Sequence, residues 1–306
     1  MSGMTIIVPI AISSGTPGVD TILASTNVPE NDYPAWNSGT TYAAKDRSIK
    51  GHKVWESVAG GNINHDPEAD TTSSYWLEVG TTNRWRFTDQ VVNIQMTNPN
   101  TIAMTFEPGE IANAFAAFNM VGTELSMMVT DAVEGVVYDV TVSLLDDSLI
   151  TDSYAYCFND IVYVRDIVLL DLPSYGNAEY SVTIDAGSGT AKVGETFLGR
   201  WREIGLTKYG SSAGITRYSV VEVDQFGKRK ITPRSYAKRA DFDLAVPTDQ
   251  LSGVQNYLAD IGDTLVVFIG SENHTALIVP GYVDEATPVF SNPAYSDLAL
   301  SVKGIV

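Results

Sequence analysis

Between residues 33 and 80 the sequence places Trp36, Tyr42, Trp55, Tyr75 and Trp76, and these side chains suit one chemistry well. A flat aromatic face stacks on the apolar C–H face of a sugar ring while nearby polar groups take the hydroxyls. The same residues have a second use, because a segment this short needs large side chains to build a core. Position separates the two uses. Trp36, at the entry, and one of Tyr75 and Trp76 are expected in the core. Neighbouring residues on a strand point to opposite faces, so only one of that pair is buried. Tyr42 and Trp55 are expected to form a solvent-facing platform.

Other reactive patterns are weaker. Gly210-Ser-Ser212-Ala-Gly214 matches G-x-S-x-G, which requires a strand before and a helix after it. The following residues, 215–223, read as strand, so a glycine-rich turn is expected. Asp146 and Asp147 are adjacent carboxylates, but strand neighbours diverge, whereas a glycosidase pair must flank one bond. Asn62, Asn64, Asp66, Glu68 and Asp70 alternate like calcium-loop oxygens. Pro67 and Ser73 occupy the positions where such a loop needs Gly and Glu. His52, His65 and His274 have no His or Cys at metal-ligand spacing, and Gly187-Ser-Gly189 lacks the G-K-[ST] ending of a phosphate loop. No catalytic residue, metal or cofactor is expected, and the chain is read as no enzyme.

The formal net charge of −18 repels phosphate backbones and anionic membrane surfaces, so neither nucleic-acid binding nor membrane insertion is expected. The basic residues Lys228, Arg229, Lys230, Arg234, Lys238 and Arg239 cluster against that background. They pair with the chain's own carboxylates or form a docking surface for an acidic subunit. Cys157 is the single cysteine, which suits a reducing compartment. The first residues lack the basic region of a secretion signal, and no apolar run approaches the length of a membrane span.

The elements that must hold these residues are strands. Residues 4–10 read as one strand broken by Pro9, and 1–32 as an arm or edge strand. The 33–80 segment is a separate aromatic-rich module. From 81 to 198 the alternating runs 91–96, 138–145 and 180–187 and the longer apolar strand run 160–171 predict a β-sandwich. A C-terminal β domain spans 199–306, with a turn at Asp224-Gln-Phe-Gly227. One helix is predicted over 248–261, started by Thr248 or Asp249, with Leu251, Val254, Leu258 and Ile261 on its apolar face and Gly262 past its end. The fold class is mainly β.

Residues 35–78 resemble the chitin-binding type of carbohydrate-binding module. The matching residues are Ala35-Trp36, Gly39-Thr40, Tyr42, Asp46, Gly51, Val54-Trp55, Asp66-Pro67 and Tyr75-Trp76. Lys45 stands where that family usually has Gly, which alters a turn, and Trp55 where it usually has Tyr. The segments 27–36 and 76–85 resemble virion proteins of tailed bacteriophages. So do Ala155-Tyr156 with Phe158, Arg202-Glu-Ile-Gly205 through Gly210, Asp224 with Phe226-Gly227, and Ala237-Lys-Arg239. Arg86-Phe87-Thr88 departs from that pattern.

The resemblance implies a structural component of a phage tail or baseplate, an adaptor or tail-tip subunit made in the bacterial cytoplasm and carried on the virion. Its implied partners are other tail proteins, in an oligomeric particle, and a host-surface polysaccharide. A dedicated host-glycan receptor-binding protein is the first alternative, and a carbohydrate-active enzyme the second.

Overall fold

A computed structural model describes residues 3–10, 22–148 and 150–306. In chain order the strands are β1 (Gly3–Pro9), β2 (Leu23–Thr26), β3 (Arg47–Lys50), β4 (Lys53–Ser57), β5 (Trp76–Thr81), β6 (Met96–Phe106), β7 (Ala114–Phe118), β8 (Glu124–Asp131), β9 (Gly135–Ser143), β10 (Leu145–Asp146), β11 (Val162–Tyr163), β12 (Ile167–Leu169), β13 (Glu179–Val193), β14 (Glu195–Thr207), β15 (Ser212–Arg217), β16 (Val220–Val223), β17 (Arg229–Thr232), β18 (Tyr236–Pro247), β19 (Val266–Ile269), β20 (Ile278–Val289) and β21 (Tyr295–Gly304). Two α-helices, α1 (Ser153–Phe158) and α2 (Leu251–Asp260), join them. Strand makes up 52% of the described residues, which places the chain in the mainly-β class.

The largest sheet runs β12-β7-β14-β1-β19-β20-β21-β18-β15, and a further pairing joins β14 to β18. That extra ladder, Leu206↔Ala245 and Thr207↔Leu244, closes β14, β1, β19, β20, β21 and β18 into a six-stranded antiparallel barrel. Closure removes the unpaired edges that an open sheet exposes. Met4, Ile6, Phe242, Leu244, Phe268 and Leu300 share its buried interior, and α2 adds Leu251, Val254, Leu258 and Ile261 to the same core.

A second sheet, β2-β6-β13-β8-β9, forms a sandwich with the β12-β7-β14 end of the large one. Phe106, Met127, Tyr180 and Ile184 from the small sheet share a core with Phe115, Ala117 and Leu198 from the large one. β14 is common to both units: its first half pairs with β7 and its last residues with β18.

The linear order of domains expected from sequence is therefore corrected. β1 is not an arm or an edge. It lies between β14 and β19, with Ile6 buried in the barrel and Ile7 buried in a separate cluster beside Phe118 and Val267. A strand buried on both faces reads as one apolar run without alternation, as Thr5-Ile-Ile-Val does. The polar stretch after it, 11–21, lies outside the described residues. The boundary expected at 198/199 falls inside β14. The units are nested: the sandwich strands are inserted between β1 and β14 of the barrel, and the 33–80 module between β2 and β6, which are neighbours in one sheet.

The helix appears as Leu251–Asp260 with the predicted apolar face. Its N-cap is Gln250; Thr248 instead bonds Asn292 and Ser296 through its hydroxyl. The strands expected at 138–145 and 180–187 appear as β9 and β13. Residues 91–95 are not strand, and 160–171 is split into two short strands by a break around Arg165.

Candidate functional site

The module is a three-stranded sheet, β3-β4-β5, with one small core of Tyr42, Trp55 and Trp76, against which Trp36 packs. Pairing puts Ser48 opposite Trp55, and Ser57 opposite Trp76, so these residues share the inner face. The Trp76 ring is wholly buried and its indole N–H donates to the His65 carbonyl at 2.9 Å. Tyr42 meets Trp76 edge-on, with centroids 4.9 Å apart, and its hydroxyl accepts from the Asn37 N–H.

Two expected roles are corrected. Tyr42 and Trp55 are only 7% and 8% exposed, so neither is a solvent-facing platform. The small sheet has one buried face, and these rings are what fills it. Trp55 also gives its indole N–H to the Lys50 carbonyl. Trp36 is half-buried, and the Lys50 ammonium sits 4.6 Å from its ring centroid. Asp66 and Glu68 pair with that ammonium at 2.5 and 3.3 Å, so the Trp36 face is occupied. Of the adjacent pair, Trp76 is core and Tyr75 is exposed, as strand alternation requires.

What remains open is the outer face of the sheet. Tyr75, Leu77 and Val79 are 44%, 52% and 47% exposed, and Val58 beside them is also exposed. On the neighbouring strands Arg47 and Glu56 face each other across the ladder and pair at 2.8 Å. Arg47 also donates to the Tyr33 hydroxyl at 3.0 Å, and its guanidinium lies over that ring. Tyr33 thus carries the Arg47 guanidinium on one side of its ring, and the Tyr75 ring packs against His65 with centroids 3.4 Å apart. The exposed apolar side chains of Tyr75, Leu77 and Val79 and the polar pair Arg47–Glu56 are the groups on this face that a sugar would meet. Of the five candidate residues only Tyr75 belongs to this face. Leu77, Arg47, Glu56 and Tyr33 were not anticipated, although the period of two through Tyr75, Leu77 and Val79 carries the signal.

Asp70 fixes the approach to this face. Its carboxylate accepts the N–H groups of Tyr75 at 2.7 Å, Trp76 at 2.9 Å and Ser74 at 3.2 Å. Those bonds, the one from Tyr75 foremost, hold its pKa at about 2. Asp66 caps the short 3-10 helix Pro67–Ala69 by accepting from the Glu68 N–H. Of the three carboxylates of the calcium-like run, Asp66 and Asp70 are therefore engaged by backbone N–H groups, and Asp66 and Glu68 by Lys50. Lys45, in place of the Gly of the resembling modules, takes a left-handed φ of 71°, so the turn is kept without glycine.

The other patterns fall as follows. Gly210–Gly214 leads into strand β15, and no helix follows it directly. Asp146 ends the two-residue strand β10 and accepts from the Ser148 N–H. Among the described residues no group of three or more metal-ligating side chains converges, and no helix is long and apolar enough to cross a membrane.

The module is tied to the sandwich at its base. Glu30 accepts from the Thr82 hydroxyl at 2.8 Å and bonds the His52 Nδ1 at 3.0 Å. Asn83 bonds Thr97 of β6 in both directions. No family model matches this chain, nor does any curated protein or solved structure.

Proposed function

We propose that the chain is a non-enzymatic structural subunit of a bacteriophage tail or baseplate, and that its module presents the Tyr75–Leu77 face to host-surface glycans. The observation that carries the reading is the mode of insertion. The module is held at both ends by adjacent strands β2 and β6, which suits display from a scaffold better than a flexible tether does. Support also comes from the resemblance of residues 27–36, 76–85, 202–210, 224–227 and 237–239 to tail proteins. Neighbouring tail subunits are the partners this reading requires. Mass spectrometry of purified particles tests it: the chain recovered in stoichiometric amount is the expected result, and particles that lack it overturn the reading.

A second reading, a dedicated receptor-binding protein, is favoured by the open aromatic face beside the Arg47–Glu56 pair. It differs from the first in making glycan affinity the chain's main task.

A further inference from the structure

Two lobes project from the nested body, and each leaves apolar side chains uncovered. The first is the hairpin β16–β17. Its turn is well built: Asp224 accepts from the N–H groups of Phe226 and Lys228 at 2.8 and 2.9 Å, and Gly227 takes a φ of 78°. The register sets Val221 opposite Ile231 and Val223 opposite Arg229, so these four share one face. Val221, Val223 and Ile231 are 55%, 61% and 63% exposed, and Phe226 at the tip is 80% exposed. An isolated two-stranded hairpin is marginal in water unless something covers its apolar side.

Its charge is opposite to that of the chain. Residues 212–236 hold five Lys or Arg (Arg217, Lys228, Arg229, Lys230, Arg234) against Glu222 and Asp224, in a protein of net charge −18. Among the described residues none of the five makes an ion pair, whereas Lys238, at the hairpin's base, pairs with Asp166. The expectation that the cluster is neutralised within the chain thus holds for Lys238 and not for the hairpin itself.

The second lobe is the segment between Leu144 and Val164, joined at its base by the Val164 N–H to the Leu144 carbonyl at 2.6 Å. It contains Asp146, Asp147, Asp152 and Asp160 and no Lys or Arg. Tyr154, Tyr156, Phe158 and Ile161 are 70%, 76%, 71% and 67% exposed, and the Tyr154 and Phe158 rings lie 4.7 Å apart, one helical turn from each other. Scattered exposed apolar residues are ordinary, but two exposed rings in contact, as Tyr154 and Phe158 are, mark an interaction surface.

We propose that the occupant is a second copy of this chain: the basic hairpin of one protomer seats on the acidic aromatic lobe of another. The two surfaces are opposite in charge and alike in carrying apolar area, and among the described residues neither is covered within a single chain. Opposite potentials steer and register such a contact, and burial of the aromatic and aliphatic side chains supplies its affinity. The contact is heterologous at each hairpin-to-lobe junction.

The inference does not rest on the particle reading, because the purified full chain suffices to test it. Sedimentation velocity over a concentration series, with reductant present so that exposed Cys157 cannot cross-link copies, should show reversible association that weakens with added salt. Arg229→Glu with Lys230→Glu, and separately Tyr154→Ser with Phe158→Ser, should each weaken association by about tenfold or more. Circular dichroism should be unchanged, since all four sites are exposed. Mixing the two variants should restore association, because one keeps its lobe and the other its hairpin. A wild type that stays monomeric throughout, variants that associate as the wild type does, or a mixture that stays monomeric overturns the proposal.

Discussion

Leu206 pairs with Ala245 across the seam between β14 and β18, and that ladder makes an open sheet a barrel. The strand next to β14 is the N-terminal β1, so residues at both ends of the chain share one core. Ile6 lies wholly buried in that core with Phe242, Phe268 and Leu300.

Ile6→Ala is expected to cost about 2–5 kcal/mol, through lost burial and the cavity left behind. The loss should be confined to the barrel. Hydrogen exchange should accelerate at β18 and β21 amides, far along the sequence from residue 6, and remain unchanged in β3–β5, whose core is separate.

Lys45→Gly should stabilise the module. Lys45 adopts φ 71°, where a side chain is strained and glycine is not. The gain is expected to be about 0.5–1 kcal/mol after the greater freedom of glycine in the unfolded chain is counted, and thermal melting of the full chain checks it.

Glu195 is 3% exposed and accepts from the Gln90 N–H at 3.0 Å. Burial first, and then the Asp89 carboxylate, push its pKa from 4.5 up to about 9. The fold therefore holds a proton that the unfolded chain releases. This contribution is complete below pH 4.5 and declines as pH rises toward 9. Asp70 acts in the other direction: its contribution is present above its ordinary value of 3.8 and is lost as pH falls toward 2. Denaturant titrations should show wild-type stability falling between pH 5 and 9, and Glu195→Gln should flatten that slope.

Much of the scaffold was legible in the sequence because alternation reports a half-buried strand. β9 and β13 were found that way, and α2 by its four-residue apolar face. Alternation fails where both faces are buried. β1 and β7, the latter all apolar as Ala-Phe-Ala-Ala-Phe, carry no periodic signal, and barrel closure depends on pairings between residues far apart in sequence. In the module the pair Tyr75–Trp76 was resolved in kind, one in and one out. Tyr42 and Trp55 were misplaced because a count of aromatics does not say how many rings a small core requires.

Substitutions in the module should separate core from surface. Tyr75→Ala and Leu77→Ala are expected to leave the melting temperature of the full chain nearly unchanged and to reduce retention on immobilised polysaccharide (chitin, peptidoglycan and lipopolysaccharide in parallel) by about tenfold or more, on the scale of an aromatic contact. Trp76→Ala should instead unfold the module, at a cost of about 3–5 kcal/mol. Equal retention by wild type and Tyr75→Ala would assign the face another role.

A density reconstruction of purified phage tails tests the central claim most directly. The account predicts copies of this chain on the tail or baseplate, with the barrel and sandwich against neighbouring subunits and the Tyr75–Leu77 face turned outward to solvent. Tails without density for the chain, copies confined to the capsid interior, or that face buried against another tail subunit would contradict it.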